Sequence, residues 1–320
     1  TAFIHSIIIQ EKKNMLKMWN MILILITFTL CIFGTFLTRS GIVSSVHSFT
    51  ASSLGPIFLA FVFLILFVCI YLLTTRSKYL KSEKKLESFA SRESGFLFNN
   101  VIFVSICFAV FWGTMFPVFS EAFTGSQITV GPPFFNQIII PISLILLFLS
   151  GIGPLLAWRK TSKESLVRNF SIPSILGLVV VLIGILMGLI GLYPIITTFL
   201  CAFVFFTIVL EFWRGIKVRN NKYNENIIIA LLNMINKNRS RYGGYIVHLG
   251  IVIMFIGFIG KAFDIEKESS LRIGESISLS NYKITLLNLR ESERPNHYAW
   301  IADLEVEKDG KIISTLEPEK

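Results

Sequence analysis

The stretch PIFLAFVFLILFVCIYLLTT, residues 56–75, runs for 20 residues without a charged side chain. A helix needs about 20 apolar residues in a row to cross the hydrocarbon core of a bilayer. Comparable runs occupy residues 18–37, 96–119, 137–158, 172–191, 194–213 and 243–263. The sequence therefore predicts seven complete transmembrane helices.

The composition agrees with a membrane protein. Hydrophobic residues make up 53% of the 320 residues, charged residues only 16%, and the mean hydropathy is +0.68. Such values lie far from the usual balance of soluble domains. Residues 1–10 are also apolar and are expected to be the tail of a further span. Because the chain starts with Thr1, we expect it to be a piece of a longer protein.

The basic residues are unevenly divided between the loops. Alternate loops on one side hold 20 Lys and Arg residues, whereas the loops on the other side hold only Arg39. Cytoplasmic loops of membrane proteins carry such an excess, so the first set is predicted to be cytoplasmic. The net charge of +10 is then a topological signal, and nucleic-acid binding is a poor interpretation. Residues 120–136 and the chain after residue 261 are predicted to lie outside the cytoplasm.

The chain changes character after residue 263. Apolar and polar residues alternate at Tyr282, Ile284 and Leu286 and again over residues 300–306, which is typical of half-buried strands, and Asp309-Gly310 is a hairpin-turn signal. The predicted fold class is an all-α polytopic membrane bundle, residues 1–263, followed by a small periplasmic β domain, residues 264–320. The predicted strands are too few to close a core comfortably, so this β domain is expected to be incomplete. Residues 227–235 are predicted to form a short interfacial helix.

His5 and His248 are ionisable residues inside apolar spans, and such residues usually have a function. His5 precedes Glu11 by six residues and His248 follows Arg241 by seven, so each is predicted to lie about 9 to 10 Å from the cytoplasmic charges. Two imidazoles at one depth suit the axial positions of a haem iron. Gly244, one turn before His248, would leave room for a flat macrocycle. The alternative is a pair of histidines that merely hydrogen-bond to neighbouring helices.

A second candidate site lies in the outer loop that contains Arg39 and His47. An imidazole can ligate a metal, and a guanidinium can pair with a carboxylate such as a haem propionate. The alternative for His47 alone is a solvated loop residue. A second outer loop, residues 125–136, has a rigid Gly-Pro-Pro turn followed by two aromatic residues, which could anchor the loop at the interface.

The sequence lacks the motifs of several other kinds of chemistry. The sequence has no phosphate-binding P-loop, no nucleophile with a paired base and no series of membrane carboxylates of the kind that a proton pump needs. The cysteines form no CxxC motif and are interpreted as small apolar side chains, at Cys31, Cys69, Cys107 and Cys201.

Several motifs in order give the chain a strong resemblance to a known family. They are IHS at residues 4–6, GTFLTRSG at 34–41, SVH at 45–47, VGPPFFN at 130–136, YGGYIVHLG at 242–250 and EPEK at 317–320. In this combination the chain resembles the CcmF family, the large integral subunit of the bacterial cytochrome c haem lyase.

The resemblance implies a cofactor and a set of residues. The family's two transmembrane histidines, which ligate a b-type haem, match His5 and His248. Its periplasmic histidine, which helps to bind the incoming substrate haem, matches His47. His47 and Arg39, which lie in the same loop, form the candidate catalytic pair on the periplasmic side. The family's tryptophan-rich haem-presenting segment has no counterpart in these 320 residues, so the chain alone is expected to be inactive.

The resemblance also implies a reaction, partners and a location. A lyase of this kind takes haem from a periplasmic carrier and joins its vinyl groups to the CxxCH thiols of apocytochrome c, while the membrane haem supplies electrons. The expected partners are apocytochrome c, the periplasmic haem carrier, small membrane lyase subunits and, as an electron donor, a quinol. The expected location is the bacterial inner membrane.

Two other classes of protein remain open from the residues alone. One is a multi-spanning transporter, in which the histidines would relay protons, although a transporter should show repeat symmetry and interrupted helices. The other is an electron-transfer haem protein of the membrane that does not attach haem. An absorption spectrum separates the first from the haem proteins, and a cytochrome maturation assay separates the second from a lyase.

Overall fold

The computed structural model describes residues 1–42, 54–82, 86, 88–158, 160–260, 263, 266–293 and 298–320. Within these residues the chain forms nine α-helices and one antiparallel sheet of four strands. The helices are α1 (Ala2–Lys13), α2 (Lys17–Ser40), α3 (Gly55–Thr75), α4 (Arg92–Thr124), α5 (Pro132–Ile152), α6 (Lys163–Leu186), α7 (Leu192–Tyr223), α8 (Ile227–Lys237) and α9 (Arg239–Gly260). The chain separates into two compact units, Thr1–Gly257 and Phe258–Lys320.

Seven of the described helices, α2 to α7 and α9, are long and apolar enough to cross a membrane. This confirms the seven predicted spans, and the protein is a multi-pass membrane protein. The helices run past the apolar runs at several ends, because polar residues can continue a helix outside the hydrocarbon. Helix α4 starts at Arg92, where the Ser91 hydroxyl caps it by accepting a hydrogen bond from the Ser94 amide at 3.2 Å.

Helix α7 lies at the centre of the helical unit. Half of its most apolar stretch is buried within the protein, compared with 6% for α3. It packs against α5, α6 and α8, whereas α1 packs against α2 and α4. Large apolar side chains on the outer helices stay exposed, which suits a surface whose solvent is lipid.

Polar contacts join α1 to α2 near their shared turn. The Ser6 hydroxyl donates to the Asn20 side chain, and the Asn20 amide donates to Gln10 Oε1 at 2.7 Å. Ser6 and Asn20 are both buried, and buried polar groups are stable when they are hydrogen-bonded in this way. These contacts hold α1 in place beside the first complete span.

The Gly-Pro-Pro segment is helical where the sequence suggested a loop. Helix α5 begins at Pro132, with Gly131 as its N-cap, so the prediction of a loop extending to residue 136 was wrong at this end. Proline suits the first helical turn because its missing amide hydrogen would have no helical acceptor there. The following two aromatics pack on Gly113 of α4, where an added Cβ would lie 2.7 Å from the Phe135 ring and 2.9 Å from that of Phe134.

Helix α8 confirms the predicted short helix after α7. Its apolar side is buried at Ala230 and Met234, while Ile228 and Leu232 stay exposed. Asn224, in the left-handed conformation at φ 55°, ends α7 and lets the chain turn.

The second unit is a meander of strands β1 (Ser276–Leu279), β2 (Tyr282–Glu293), β3 (Tyr298–Lys308) and β4 (Lys311–Leu316). The alternation predicted β2 and β3, the Asp309-Gly310 turn signal implied β4, and both missed β1, which is only four residues long. Asp309 and Gly310 both have positive φ, as a tight hairpin turn requires. The last residues also pair with β3, where the Trp300 and Lys320 backbones exchange two hydrogen bonds.

Candidate functional site

His5 and His248 come together although they lie near opposite ends of the helical unit. His5 projects from α1 and His248 from α9, and the two side chains are close enough to interact electrostatically. His5 Nδ1 contacts the Thr1 carbonyl at 3.0 Å, so Nδ1 must be the donor. In the neutral imidazole this contact leaves Nε2 of His5 unprotonated and available as a ligand.

His248 has a buried ring nitrogen that is unsatisfied. Its Nδ1 has no hydrogen-bond partner among the described residues. The ring also lies beside the backbone of Ser150 in α5. Buried polar atoms without partners are rare and call for an explanation. Nδ1 is therefore a nitrogen that could bind a ligand, while the backbone contact at Ser150 joins α9 to α5.

The surroundings of the two histidines suit a flat apolar ligand. The rings of Phe96 and Phe103 lie 5.8 and 5.7 Å from the His5 ring. At Gly244, one turn before His248, an added Cβ would meet nothing within 4 Å. Aromatic walls, open space and a few convergent polar atoms are the usual composition of a cofactor site. The residues present therefore fit a haem between α1 and α9.

Cations border the site next to Trp158. The guanidinium carbon of Arg92 lies 5.2 Å from the Trp158 ring and 5.8 Å from the Phe96 ring. The ammonium groups of Lys12 and Lys13 each lie 5.6 Å from the Trp158 ring. Such distances are typical of cation–π contacts. This group of Arg92, Lys12, Lys13 and Trp158 is called the cationic margin below.

Glu211 in α7 is the centre of a second polar group that sequence reasoning missed. This buried carboxylate accepts hydrogen bonds from Arg241 Nη2 at 2.6 Å and Arg214 Nη1 at 3.1 Å, and the Tyr245 hydroxyl lies 3.5 Å away. Tyr245 precedes His248 by three residues, so the network supports the helix face that carries His248. Its signal in the sequence was a single carboxylate near the end of an otherwise uncharged run.

The periplasmic candidates are described only in part. Arg39 lies in the last turn of α2, next to Gly41, which ends the helix at φ 69°. His47 lies outside the described residues, so its position relative to Arg39 stays a prediction. Among the described residues no three or more His, Cys, Asp and Glu side chains gather into a metal site.

The fold defines a multi-pass α-helical membrane protein with a C-terminal antiparallel sheet, in which two histidines from separate helices lie near each other. Comparison with known proteins narrows this class. Residues 262–320 match the family model described as the CcmF C-terminal β-sandwich.

Curated relatives match the whole chain. It is 31% identical to the cytochrome c-type biogenesis protein ccl1 of Rhodobacter capsulatus and 28% identical to CcmF of Haemophilus influenzae, in each case over 100% of this chain and 48% or 49% of the relative. A solved structure named cytochrome c heme lyase CcmF superposes with a TM-score of 0.66 at 25% identity and covers 100% of this chain and 46% of that one. The resemblance to the CcmF family is confirmed, and the chain spans about half the length of the relatives that it matches.

Proposed function

We propose that this chain is the haem-carrying, membrane-embedded part of a cytochrome c haem lyase subunit. The observation that carries the proposal is the convergence of His5 and His248 from α1 and α9, with an unsatisfied nitrogen on one and open space at Gly244. The names of the relatives support a role in cytochrome c biogenesis, because they are biogenesis proteins and a haem lyase.

In this proposal His5 and His248 hold a b-type haem in the membrane. His5 would ligate through Nε2, since Nδ1 is engaged by the Thr1 carbonyl. A bound haem supplies one-electron transfer, and bis-histidine ligation favours electron transfer over oxygen chemistry because both axial positions are filled. Phe96 and Phe103 would exclude water from the site. The Glu211 network would keep the His248 face of α9 oriented.

The remaining roles that we propose depend on the side of the membrane on which each loop lies. We assign His47 and Arg39 to the substrate haem on the periplasmic side, where they would act on the iron and on a propionate. The chain would lie in the bacterial inner membrane, with the 264–320 domain in the periplasm. Its partners would be apocytochrome c, a periplasmic haem carrier and small lyase subunits. The 1–263 and 264–320 boundaries of membrane and periplasmic domains belong to this proposal. Alone, the chain would position substrate haem too loosely for attachment, because positioning is the main contribution of such a site.

Single substitutions test the ligand assignment. His5→Ala and His248→Ala should each abolish the low-spin absorption spectrum of the purified haem-loaded protein, because each removes one of two strong axial ligands. His47→Ala is the matched control and should leave that spectrum intact, since this histidine is assigned to the other side of the membrane. An unchanged low-spin spectrum in both single variants would rule out the axial pair.

A maturation assay then separates a lyase from a haem protein that only transfers electrons. In the full-length protein, His47→Ala should stop covalent haem attachment to a CxxCH reporter while the membrane haem remains. Normal attachment in that variant would refute the role of His47.

A further inference from the structure

Arg92 is an unusually placed cation. It is the first residue of α4, where the positive end of the helix dipole disfavours a positive side chain. Its Nε is buried and has no hydrogen-bond partner among the described residues. Leaving a buried donor of a charged group unpaired is costly. The position is explained if the guanidinium binds an anion that the described residues do not provide.

The neighbouring charges do not provide that anion. Lys13 pairs with Glu93 at 3.0 Å, and Arg241 pairs with Glu211 at 2.6 Å. Within the described residues Arg92 forms no ion pair; the adjacent Glu93 attracts it without pairing with it, and Arg241 repels it. The nearby carboxylates thus have other cations at closer range, while the cationic margin still has an excess of positive charge.

The position of Arg92 relative to the histidines limits what the anion can be. The Phe96 ring is near both, 5.8 Å from the His5 ring and 5.8 Å from the Arg92 guanidinium carbon. Tyr245 of α9, three residues before His248, is also within electrostatic range of Arg92. An anion bound by Arg92 would therefore lie near the two histidines.

We infer that Arg92 binds a propionate carboxylate of the haem held by His5 and His248. The inference rests on the proposed function, because it needs a haem at that place. A planar guanidinium matches a carboxylate with two parallel hydrogen bonds, and such charge-assisted bonds are the stronger kind. The aromatic surfaces of Phe96 and Trp158 would pack beside the apolar part of the macrocycle. A propionate at the cationic margin fixes which edge of the disc faces the basic loops.

The test compares haem b with haem b dimethyl ester, in which both propionates are uncharged. The wild-type chain should bind the ester at least about tenfold more weakly, in line with loss of a charge-assisted contact. Arg92→Gln should weaken binding of haem b and remove most of the difference between the two ligands. Lys163→Gln is the matched control, because Lys163 is also the first residue of a spanning helix but is exposed. It should keep the full discrimination.

A second readout is the midpoint potential of the bound haem. Removing a nearby positive charge favours the oxidised iron, so Arg92→Gln should shift the potential to more negative values, whereas Arg92→Lys should stay close to wild type. Equal potentials in Arg92→Gln and wild type, or an undiminished preference of Arg92→Gln for haem b, would overturn the inference. If Arg92→Gln fails to fold, the inference is still tested by Arg92→Lys and by the ratio of the wild-type affinities for haem b and its dimethyl ester.

The outcomes also distinguish a failure of the proposed function from a failure of the role assigned to Arg92. A wild-type protein without a bis-histidine low-spin spectrum would refute the proposed function. A normal low-spin spectrum with equal affinity for haem b and its ester would refute only the role of Arg92. Loss of co-purified anionic phospholipid in Arg92→Gln, with undiminished discrimination between the two haems, would assign Arg92 to a lipid phosphate instead.

Discussion

At the scale of single residues, the space beside Gly244 is the feature most open to direct test. Four other glycines of α9 also have open space beside them, because an added Cβ at Gly243, Gly250, Gly257 or Gly260 would meet nothing within 4 Å. Gly244 differs from them by its position one turn before His248. A side chain there would project along the same face of the helix as the imidazole.

Gly244→Leu should lower haem occupancy of the purified protein several-fold, because the isobutyl group fills the space that the macrocycle needs. Gly257→Leu, on the same helix and equally open, is the control and should retain haem. The measurement is the ratio of haem absorbance to protein concentration in parallel preparations. Equal occupancy in the two variants would mean that the ligand does not lie against Gly244.

The paired histidines could be predicted from the sequence, but their charged surroundings could not. Counting residues to the nearest basic loop placed His5 and His248 at one depth, because helical rise is constant. No such rule predicts that Arg92 has an unpaired nitrogen or that Glu211 accepts from two arginines, since those contacts depend on how separate helices pack. His47 was predicted from its loop and its family match, and its contacts lie outside the described residues.

At the scale of elements, hydropathy predicted which segments are helices but not where they end. The ends depend on capping residues such as Ser91 and on prolines such as Pro132, whose preference for the first turn overrode the expected loop. The α7–α8 corner is another case. Glu225 there accepts hydrogen bonds from Arg219 Nε at 2.8 Å and Arg219 Nη2 at 2.6 Å, and from Asn233 Nδ2 at 3.0 Å.

The hydrogen bonds at the α7–α8 corner should weaken at acidic pH. The hydrogen bonds from Arg219, and then that from Asn233, lower the pKa of the Glu225 carboxyl below its ordinary value. A lowered folded-state pKa means that the stabilisation is present at neutral pH and is lost as the pH falls through that lowered pKa. Hydrogen-exchange protection of α8 should therefore be high at pH 6 and fall towards pH 3.

A charge-removing variant provides the control for the acid effect. Glu225→Gln should show reduced protection of α8 already at pH 6, with little further change on acidification. Glu291→Gln, on β2, should follow the wild-type profile. A wild-type profile in Glu225→Gln would show that the corner does not depend on the carboxylate.

At the scale of the whole molecule, the Lys and Arg distribution predicts a definite topology. A reporter fused after residue 85 should be cytoplasmic, and one fused after residue 305 should be periplasmic, because the basic loops stay on the cytoplasmic side. Alkaline phosphatase and green fluorescent protein fusions at both points give complementary signals. The reverse pattern would invert the membrane sides proposed for both haem-binding positions.

The placement of His5 on the first helix and His248 on the last helix of the helical unit has a consequence for biosynthesis. Under the proposed ligation, the axial pair could form only after α9 has been made, since α9 follows the other described helices in the chain. Cofactor loading would then be a late event in the synthesis of the helical unit. Once ligated, the iron would close a loop through almost the entire helical unit, and such long-range cross-links restrict the unfolded chain most strongly. Proteolytic resistance of α1 and α9 should therefore appear together, at the moment of cofactor uptake.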